Sequence, residues 1–374
     1  MTILDLGGNR MNGDLKSQES IMLNLNKGLL EDLFVHHQLP SREFNRDFHT
    51  IKTRTKAEGL GFLTKTLPSL AKSLDKALLE GKFNTPSSFK RKGGTNLPCF
   101  MHGFFKLVFS LDGELLAEPD ICAIKDLRQI GYLFYKYQLP YKDELVERLF
   151  EDFQATDSLI SQSLSSVEQM GTVYYAKEII NAIFKEFSTD ILKPKNGPGS
   201  VANQIPPWDR FRPTRFYRSL DSLVHYSWSF YYNDRHLFDQ FAGYRNLLEE
   251  SAGTAKSIAV PKDSRGPRLI SAEPSEFMLY QQALKNVLVP YLESNRFTKG
   301  RVNFTRQDIN GNLALRASSD QSFATLDLEK ASDLVSLCLV DLLFEDTTLH
   351  DFLMKSRTSF TELPSGQTIP LNKY

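Results

Sequence analysis

Cysteine is scarce in this chain: three residues in 374, Cys99, Cys122 and Cys338, far apart in sequence. So sparse and odd a set builds no disulfide framework and points to a reducing compartment. Cys99 and His102 make a single C-x-x-H with no second half, so a small buried cysteine near a loop histidine is preferred to a zinc site. Long apolar runs are missing as well. No stretch of about 18 or more uncharged apolar residues occurs, so no transmembrane helix is expected, and Met1 to Asp14 lacks the charged-then-apolar order of a signal peptide. Neither sign of charge is in excess, with Lys+Arg and Asp+Glu at 45 each. That balance argues against a surface coated in nucleic acid and moves the question to local patches. With 41% hydrophobic and 24% charged residues, the chain is neither disordered nor collagenous, and it shows no internal repeat. At roughly 150 residues per domain the length suggests two or three domains.

What is present begins with helical periodicity. Phe44, Phe48 and Ile51 recur at helical spacing, as do Leu67, Leu70, Leu74 and Leu78. The aromatic stretch Asp126 to Tyr137 predicts a helix that ends at Gln138 to Pro140, because proline cannot continue it. Further helices are expected from about Tyr141 to Phe153 and from about Val173 to Phe187. Lys193 to Pro207 is rich in Gly, Pro and Asn and reads as a loop. From Ser257 the texture changes. Ser257 to Val260 and Arg268 to Ala272 predict two strands around a turn at Asp263 to Pro267, and Glu276 to Leu292 predicts a helix. Phe323 to Leu328 predicts a short buried strand, followed by a helix from Ala331 to Phe344. Phe360 to Leu363 and Thr368 to Leu371 predict a hairpin turning at Pro364 to Gly366.

Three constellations carry candidate chemistry. In Trp208 to Tyr217, Arg210, Arg212 and Arg215 alternate with Trp208, Phe211, Phe216 and Tyr217. Guanidinium groups suit phosphates and ring faces suit bases, as single-stranded nucleic acid requires; a partly buried aromatic cluster with solvated arginines is the equal alternative. In VPKDSRGPRLISAEP (260–274), Lys262, Arg265 and Arg268 place three cations within seven residues on a hairpin. Arginine forks match phosphate oxygens and lysine supplies a point charge, so a nucleoside triphosphate is the matching polyanion; a merely charged surface hairpin is the commoner case. In ATLDLEKASD (324–333), Asp327 ends an apolar strand, where an unpaired carboxylate is costly, and Asp333 falls in the first turn of the next helix, where a carboxylate is favoured. A strand-end aspartate binding divalent metal is what two-metal nucleotidyl transfer needs. An N-capping aspartate plus a buried ion pair is the structural alternative.

These segments resemble the replicases of single-stranded RNA phages, the levivirus RNA-directed RNA polymerases. VPKDSRGPRLISAEP resembles their nucleotide-entry hairpin. Arg306 to Ala314 (RQDINGNLA) resembles their D-Q-x-I-N-x-x-x-A element, with Arg306 where an acid is frequent. ATLDLEKASD resembles their first metal-binding palm motif with the same D-x5-D spacing, and LPSGQTIPLNKY the hairpin before the second palm motif. NGPGSVAN (196–203) and Asp126 to Pro140 resemble upstream segments less specifically, so that the likeness runs from about residue 120. The family's later Met-Gly-Ser/Asn and Tyr-Gly-Asp-Asp motifs do not occur. The chain is therefore expected to be an N-terminal fragment, inactive in polymerisation unless another chain supplies the missing aspartates, because one carboxylate cannot replace three.

The resemblance implies an α+β right-hand polymerase: a helical N-terminal and fingers region over 1–190, a loop and basic-aromatic fingers region over 191–256, the nucleotide-entry hairpin and fingers helices over 257–322, and a partial palm over 323–374 whose sheet has an exposed edge. It implies Mg2+, with Mn2+ as an alternative, held by Asp327 and the carbonyl of Leu328. Asp333 would read the ribose 2′-hydroxyl, Lys262, Arg265 and Arg268 would neutralise the triphosphate, and Arg210, Arg212 and Arg215 would touch template. RNA template and product and ribonucleoside triphosphates are the implied partners. By analogy, host elongation factors Tu and Ts and a small-subunit ribosomal protein join them, in the bacterial host cytoplasm and away from any membrane. A reverse-transcriptase-like polymerase is the nearest rival. A non-catalytic RNA-binding module is the rival from another class.

Overall fold

The computed structural model describes residues 8–167, 171–189, 192–193, 195–230 and 247–374. Residues 231–246 of the basic-aromatic region expected over 191–256, and 1–7 of the chain start, lie outside the described residues. Helices make up about half of the fold and the sheets are small, an α+β mixture. No described helix is long and apolar enough to cross a membrane. The chain divides into two compact units, one of residues 1–145 with 261–267, the other of residues 146–260 with 268–374.

The first unit is helical. Helices Gly8–His36, Ser41–Glu58, Leu67–Glu80 and Ile121–Tyr132 supply half of its buried core, and most of the rest comes from residues 83–109. The leucines spaced three and four apart put Leu67, Leu70 and Leu74 on one face, which is buried with Ile51, Phe62, Phe104, Phe105 and Leu127. Helix Ile121–Tyr132 begins five residues before the expected Asp126, because Asp120 caps it: the carboxylate accepts from the amides of Cys122 and Ala123. His102 is buried with Nδ1 at 3.1 Å from the Pro98 carbonyl, and Cys99 Sγ donates to the Arg91 carbonyl. The C-x-x-H pair is thus absorbed by local packing. None of the three cysteines forms a disulfide.

The second unit packs helices Asp143–Val167 (from Val146 on), Gly171–Phe184 and Ser275–Ser294 with two small sheets. Its core is aromatic, with Phe184, Tyr217, Tyr226, Phe277, Tyr280 and Phe352 buried together. Strands β1 (Phe216–Tyr217) and β2 (Glu249–Glu250) pair in parallel. The larger sheet has the order β4-β3-β5-β6, from β3 (Thr254–Asp263), β4 (Gly266–Ala272), β5 (Phe360–Glu362) and β6 (Thr368–Pro370). β3 runs parallel to β5, with Thr254 opposite Phe360, and β5 and β6 form the expected hairpin. Its turn closes through Gly366 at φ 82°, a left-handed conformation natural to glycine. Gly253 is fixed by proximity: a Cβ there would fall 2.4 Å from the Phe277 ring.

Two sequence expectations fail in this unit. Residues 323–328 form no strand, and every one of them is exposed. β-Structure needs a ladder partner, and none of the described strands pairs with this segment. An edge strand, whether buried or exposed, is therefore not formed there. The helix expected over Ala331 to Phe344 is interrupted: Ser332–Leu334 is a 3-10 turn and the α-helix runs only over Leu337–Phe344. Ser336 breaks it by capping, its hydroxyl accepting from the Leu339 amide.

Candidate functional site

The cationic hairpin is longer and tighter than its sequence suggests. Its strands reach Asp263 and resume at Gly266, leaving a two-residue turn at Ser264 and Arg265. The first unit holds this tip by polar contacts. The Tyr141 hydroxyl donates to the Asp263 carbonyl at 2.8 Å and accepts from the Lys262 amide at 3.0 Å. The Ser264 hydroxyl donates to the Thr64 carbonyl. Arg265 is tied down further: Nε and Nη2 donate to the two oxygens of Asp263 at 3.0 and 2.6 Å, and the guanidinium lies 4.8 Å from the centre of the Tyr135 ring. The Arg265 side chain holds the Asp263 carboxyl down at about 2, so the pair stays ionised at neutral pH. Lys262 and Arg268 are exposed. Of the three cations assigned to the triphosphate, two offer open charge and the third is already bonded to its neighbour. Tyr135, Tyr141 and Asp263 were not singled out in the sequence. An aspartate two residues before an arginine, at the turn of the hairpin, was the available signal.

The D-x5-D segment belongs to the second unit. Asp327 is exposed, not buried, and Leu326 and Leu328 beside it are 86% and 75% exposed. The cost of burying a lone carboxylate, which led to an expected cation, does not arise in this arrangement. Asp333 sits in the 3-10 turn and accepts from Lys373 Nζ at 2.6 Å. Lys373 is itself buried, with Nζ 3.5 Å from the centre of the Phe153 ring. Its backbone is held by buried Asp157, whose carboxylate accepts from the amides of Asn372 and Lys373 and from Asn372 Nδ2. Asp157 and Lys373 thus orient Asp333. Asp157 carried no motif signal and Lys373 stood only within the segment LPSGQTIPLNKY, and their pairing spans more than 200 residues of sequence. Lys330 Nζ reaches Thr156 Oγ1 at 3.3 Å.

Among the described residues no three His, Cys, Asp or Glu side chains converge to hold a metal ion. A magnesium ion binds oxygen ligands in octahedral array. Asp327 with the Leu328 carbonyl does not by itself fit that demand.

The basic-aromatic run separates into different roles. Arg210 is buried and donates to the carbonyls of Gly197 and Ile205, which makes it a clamp on the Gly-Pro loop and not an open phosphate ligand. Arg215 pairs with Glu250 at 2.8 Å, while Arg212 is exposed and 3.8 Å from Asp209. Trp208 and Phe211 remain open to solvent. Beneath this run, Glu276 is fully buried and its carboxylate gathers the Thr214 amide at 2.6 Å, the Thr214 hydroxyl, the Arg215 amide and the hydroxyl of Ser275. Glu273, three residues earlier, accepts from the Thr358 hydroxyl at 3.2 Å. Burial pushes its carboxyl up to about 7, against the hydrogen bonds of Thr358 and Gln281 and the charge of Arg357.

Residues 240–374 match the protein family described as RNA replicase, beta-chain. The RNA-directed RNA polymerase subunit beta of Enterobacteria phage SP is 33% identical over 126 residues, which is 34% of this chain and 21% of that protein. The protein of the same name from Escherichia virus Qbeta is 31% identical over 118 residues, 32% of this chain and 19% of its own length. The matched stretch therefore spans about a fifth of the curated relatives. The expected likeness to the phage replicases is present, and it contains the cationic hairpin, the D-x5-D segment and the final hairpin. Asp126 to Pro140 and NGPGSVAN lie outside the matched residues.

Proposed function

We propose, from the likeness of residues 240–374 to the RNA replicase beta-chain family, that this chain is part of an RNA-directed RNA polymerase acting in replication of a viral RNA genome. The reading rests on one observation: the matched stretch holds both a triphosphate-suited cationic hairpin and the D-x5-D carboxylates. In it, 257–322 and 323–374 act as parts of the fingers and palm of a right-hand polymerase. Lys262 and Arg268 attract the triphosphate, and Arg265 joins them by exchanging the Asp263 carboxylate for a phosphate oxygen, a substitution of one bidentate anion for another. Asp333, steered by Lys373, accepts from the ribose 2′-hydroxyl. That role separates the polymerase from a reverse-transcriptase-like one, which would exclude the hydroxyl. Asp327 and the carbonyl of Leu328 would hold a divalent metal together with further ligands from outside the described residues. Bound metal would supply charge neutralisation at the phosphates. RNA, ribonucleotides, the host factors and the host cytoplasm are partners and place within the same reading.

The test is templated ribonucleotide incorporation by a subunit that contains this chain. Asp327→Ala should abolish incorporation while leaving stability within about 0.5 kcal/mol, since the side chain is exposed. Retained synthesis would count against the assignment. Arg268→Ala should mainly raise KM for nucleotides. The exposed Trp208, Phe211 and Arg212 favour one second reading, a non-catalytic module that binds single-stranded RNA by stacking. RNA binding that persists when incorporation is absent, and falls in Trp208→Ala, would support it.

A further inference from the structure

Within the second unit, one face of the Asp143–Val167 helix holds the D-x5-D turn in place. Phe153, Thr156 and Asp157, three and four residues apart, share that face, and all are buried. Thr156 Oγ1 accepts from Lys330 Nζ at 3.3 Å. Lys330 has φ 52°, in the left-handed region that side chains seldom adopt, and its carbonyl accepts from the Asp333 amide. Asp157 accepts from the amides of Asn372 and Lys373. Residues 335–337 grip the same stretch, with the Leu337 amide donating to the Asn372 carbonyl and the Tyr374 amide to that of Val335. This register brings Lys373 Nζ to 2.6 Å from Asp333 Oδ1. The helix lies outside the stretch matched to the replicase family, so the likeness gives it no role.

A buried lysine is costly unless its charge is compensated, and two partners hold this one. Nζ lies 3.5 Å from the centre of the Phe153 ring and donates to the Asp333 carboxylate. The Lys373 side chain is 9% exposed and that of Asp333 39%, so the pair has a closed end and an open one. The ammonium cannot swing away without losing both partners. Asp333 Oδ1 is therefore fixed, and the carboxylate's other oxygen is left as the acceptor at the open end. We infer that Lys373 and Asp157 are positioning residues for ribose selection: they hold the Asp333 carboxylate so that Oδ2 meets the 2′-hydroxyl of an incoming ribonucleotide without reorganising. The inference rests on the polymerase reading, which supplies the role of Asp333 but not the support behind it. A fixed acceptor gains one charge-assisted hydrogen bond from a ribonucleotide and none from its 2′-deoxy counterpart, a difference of roughly 10- to 100-fold. A carboxylate free to rotate loses much of that difference.

The test is templated incorporation of CTP and 2′-deoxy-CTP by a subunit that contains this chain, with kcat and KM measured for each. Asp333→Ala should lower the preference for CTP roughly 10- to 100-fold. Lys373→Met, which keeps an apolar stem and a sulfur against the Phe153 ring, should lower it roughly tenfold, mainly through a raised KM for CTP. Combined with Asp333→Ala it should add little, because it acts through that carboxylate. Lys373→Arg keeps the charge and should retain most of the preference. If Lys373→Met fails to fold, Asp157→Asn, which leaves one oxygen for the two amides, should lower the preference in the same direction. A preference kept by these folded variants while Asp333→Ala loses it would overturn the inference and leave the polymerase reading standing. Equal losses for the two nucleotides would make Lys373 a purely structural residue and overturn it as well. A preference untouched in Asp333→Ala, or no incorporation by the wild type, would remove the reading and the inference together.

Discussion

Replacing Glu273 by glutamine should make the second unit more stable at neutral pH and remove much of its pH dependence. Burial holds the folded-state carboxyl up at about 7, whereas an unfolded glutamate ionises in the ordinary carboxylate range near 4.5. Between those two values the folded state keeps a proton that the unfolded state has lost. Stability is therefore complete below the lower value and falls as pH rises through the upper one. The linked loss is roughly 3 kcal/mol. Glutamine is uncharged throughout, keeps an oxygen for the Thr358 hydroxyl and has nearly the same volume. Backbone amides of β4 and the Ser275–Ser294 helix report the effect by hydrogen exchange, with wild type and Glu273→Gln compared at each pH so that chemical exchange rates cancel. Protection in the variant should equal wild type near pH 4.5 and exceed it on the order of 100-fold at pH 8, the equivalent of that free energy. Parallel pH profiles, or a variant less protected at pH 8, would refute the claim that this carboxyl is buried without adequate compensation.

Glu276→Ala should cost about 1 to 3 kcal/mol, seen as an earlier urea transition, because it removes the buried carboxylate that accepts from the Thr214 amide, the Thr214 hydroxyl and the Arg215 amide. Asp263→Asn should raise triphosphate affinity several-fold at low salt, an effect of about 1 kcal/mol, because Arg265 loses its competing carboxylate; calorimetry with a ribonucleoside triphosphate checks it, and unchanged affinity would mean Arg265 never meets phosphate. Asp157→Ala should release the backbone of Asn372 and Lys373, raising hydrogen exchange at 371–374 without altering the first unit.

Where local chemistry decides structure, the sequence is readable. The hairpin over 254–272 and the one over 360–370 follow from alternating apolar residues around Gly and Pro, and the long helices follow from leucine spacing. Their ends drift because ends are set by single side chains: Asp120 starts one helix early and Ser336 delays another. The segment 323–328 fails for a different reason. Its apolar, β-prone residues satisfy every local rule for a buried strand, yet ladder hydrogen bonds and cover come only from other parts of a fold. Arg210 is equally hard to read, since nothing in its sequence neighbours shows that its side chain is buried and donates to the carbonyls of Gly197 and Ile205.

The arginines make a more general argument about reading charge from sequence. Counted as letters, the chain has dense basic clusters at 210–218 and 262–268. Counted as available charge, it has far fewer. Asp263 takes Arg265, Glu250 takes Arg215, Glu249 takes Arg218 and Asp308 takes Arg306. Two of these partners stand two residues away in sequence and two more than thirty, so only half of the subtraction was possible before folding. A polyanion meeting this surface must either displace a carboxylate, recovering only the difference between two charge-assisted bonds, or bind at Lys262 and Arg268, which are exposed. The sites that draw phosphate first are therefore set by which cations lack an acid within reach, not by where cations are most frequent.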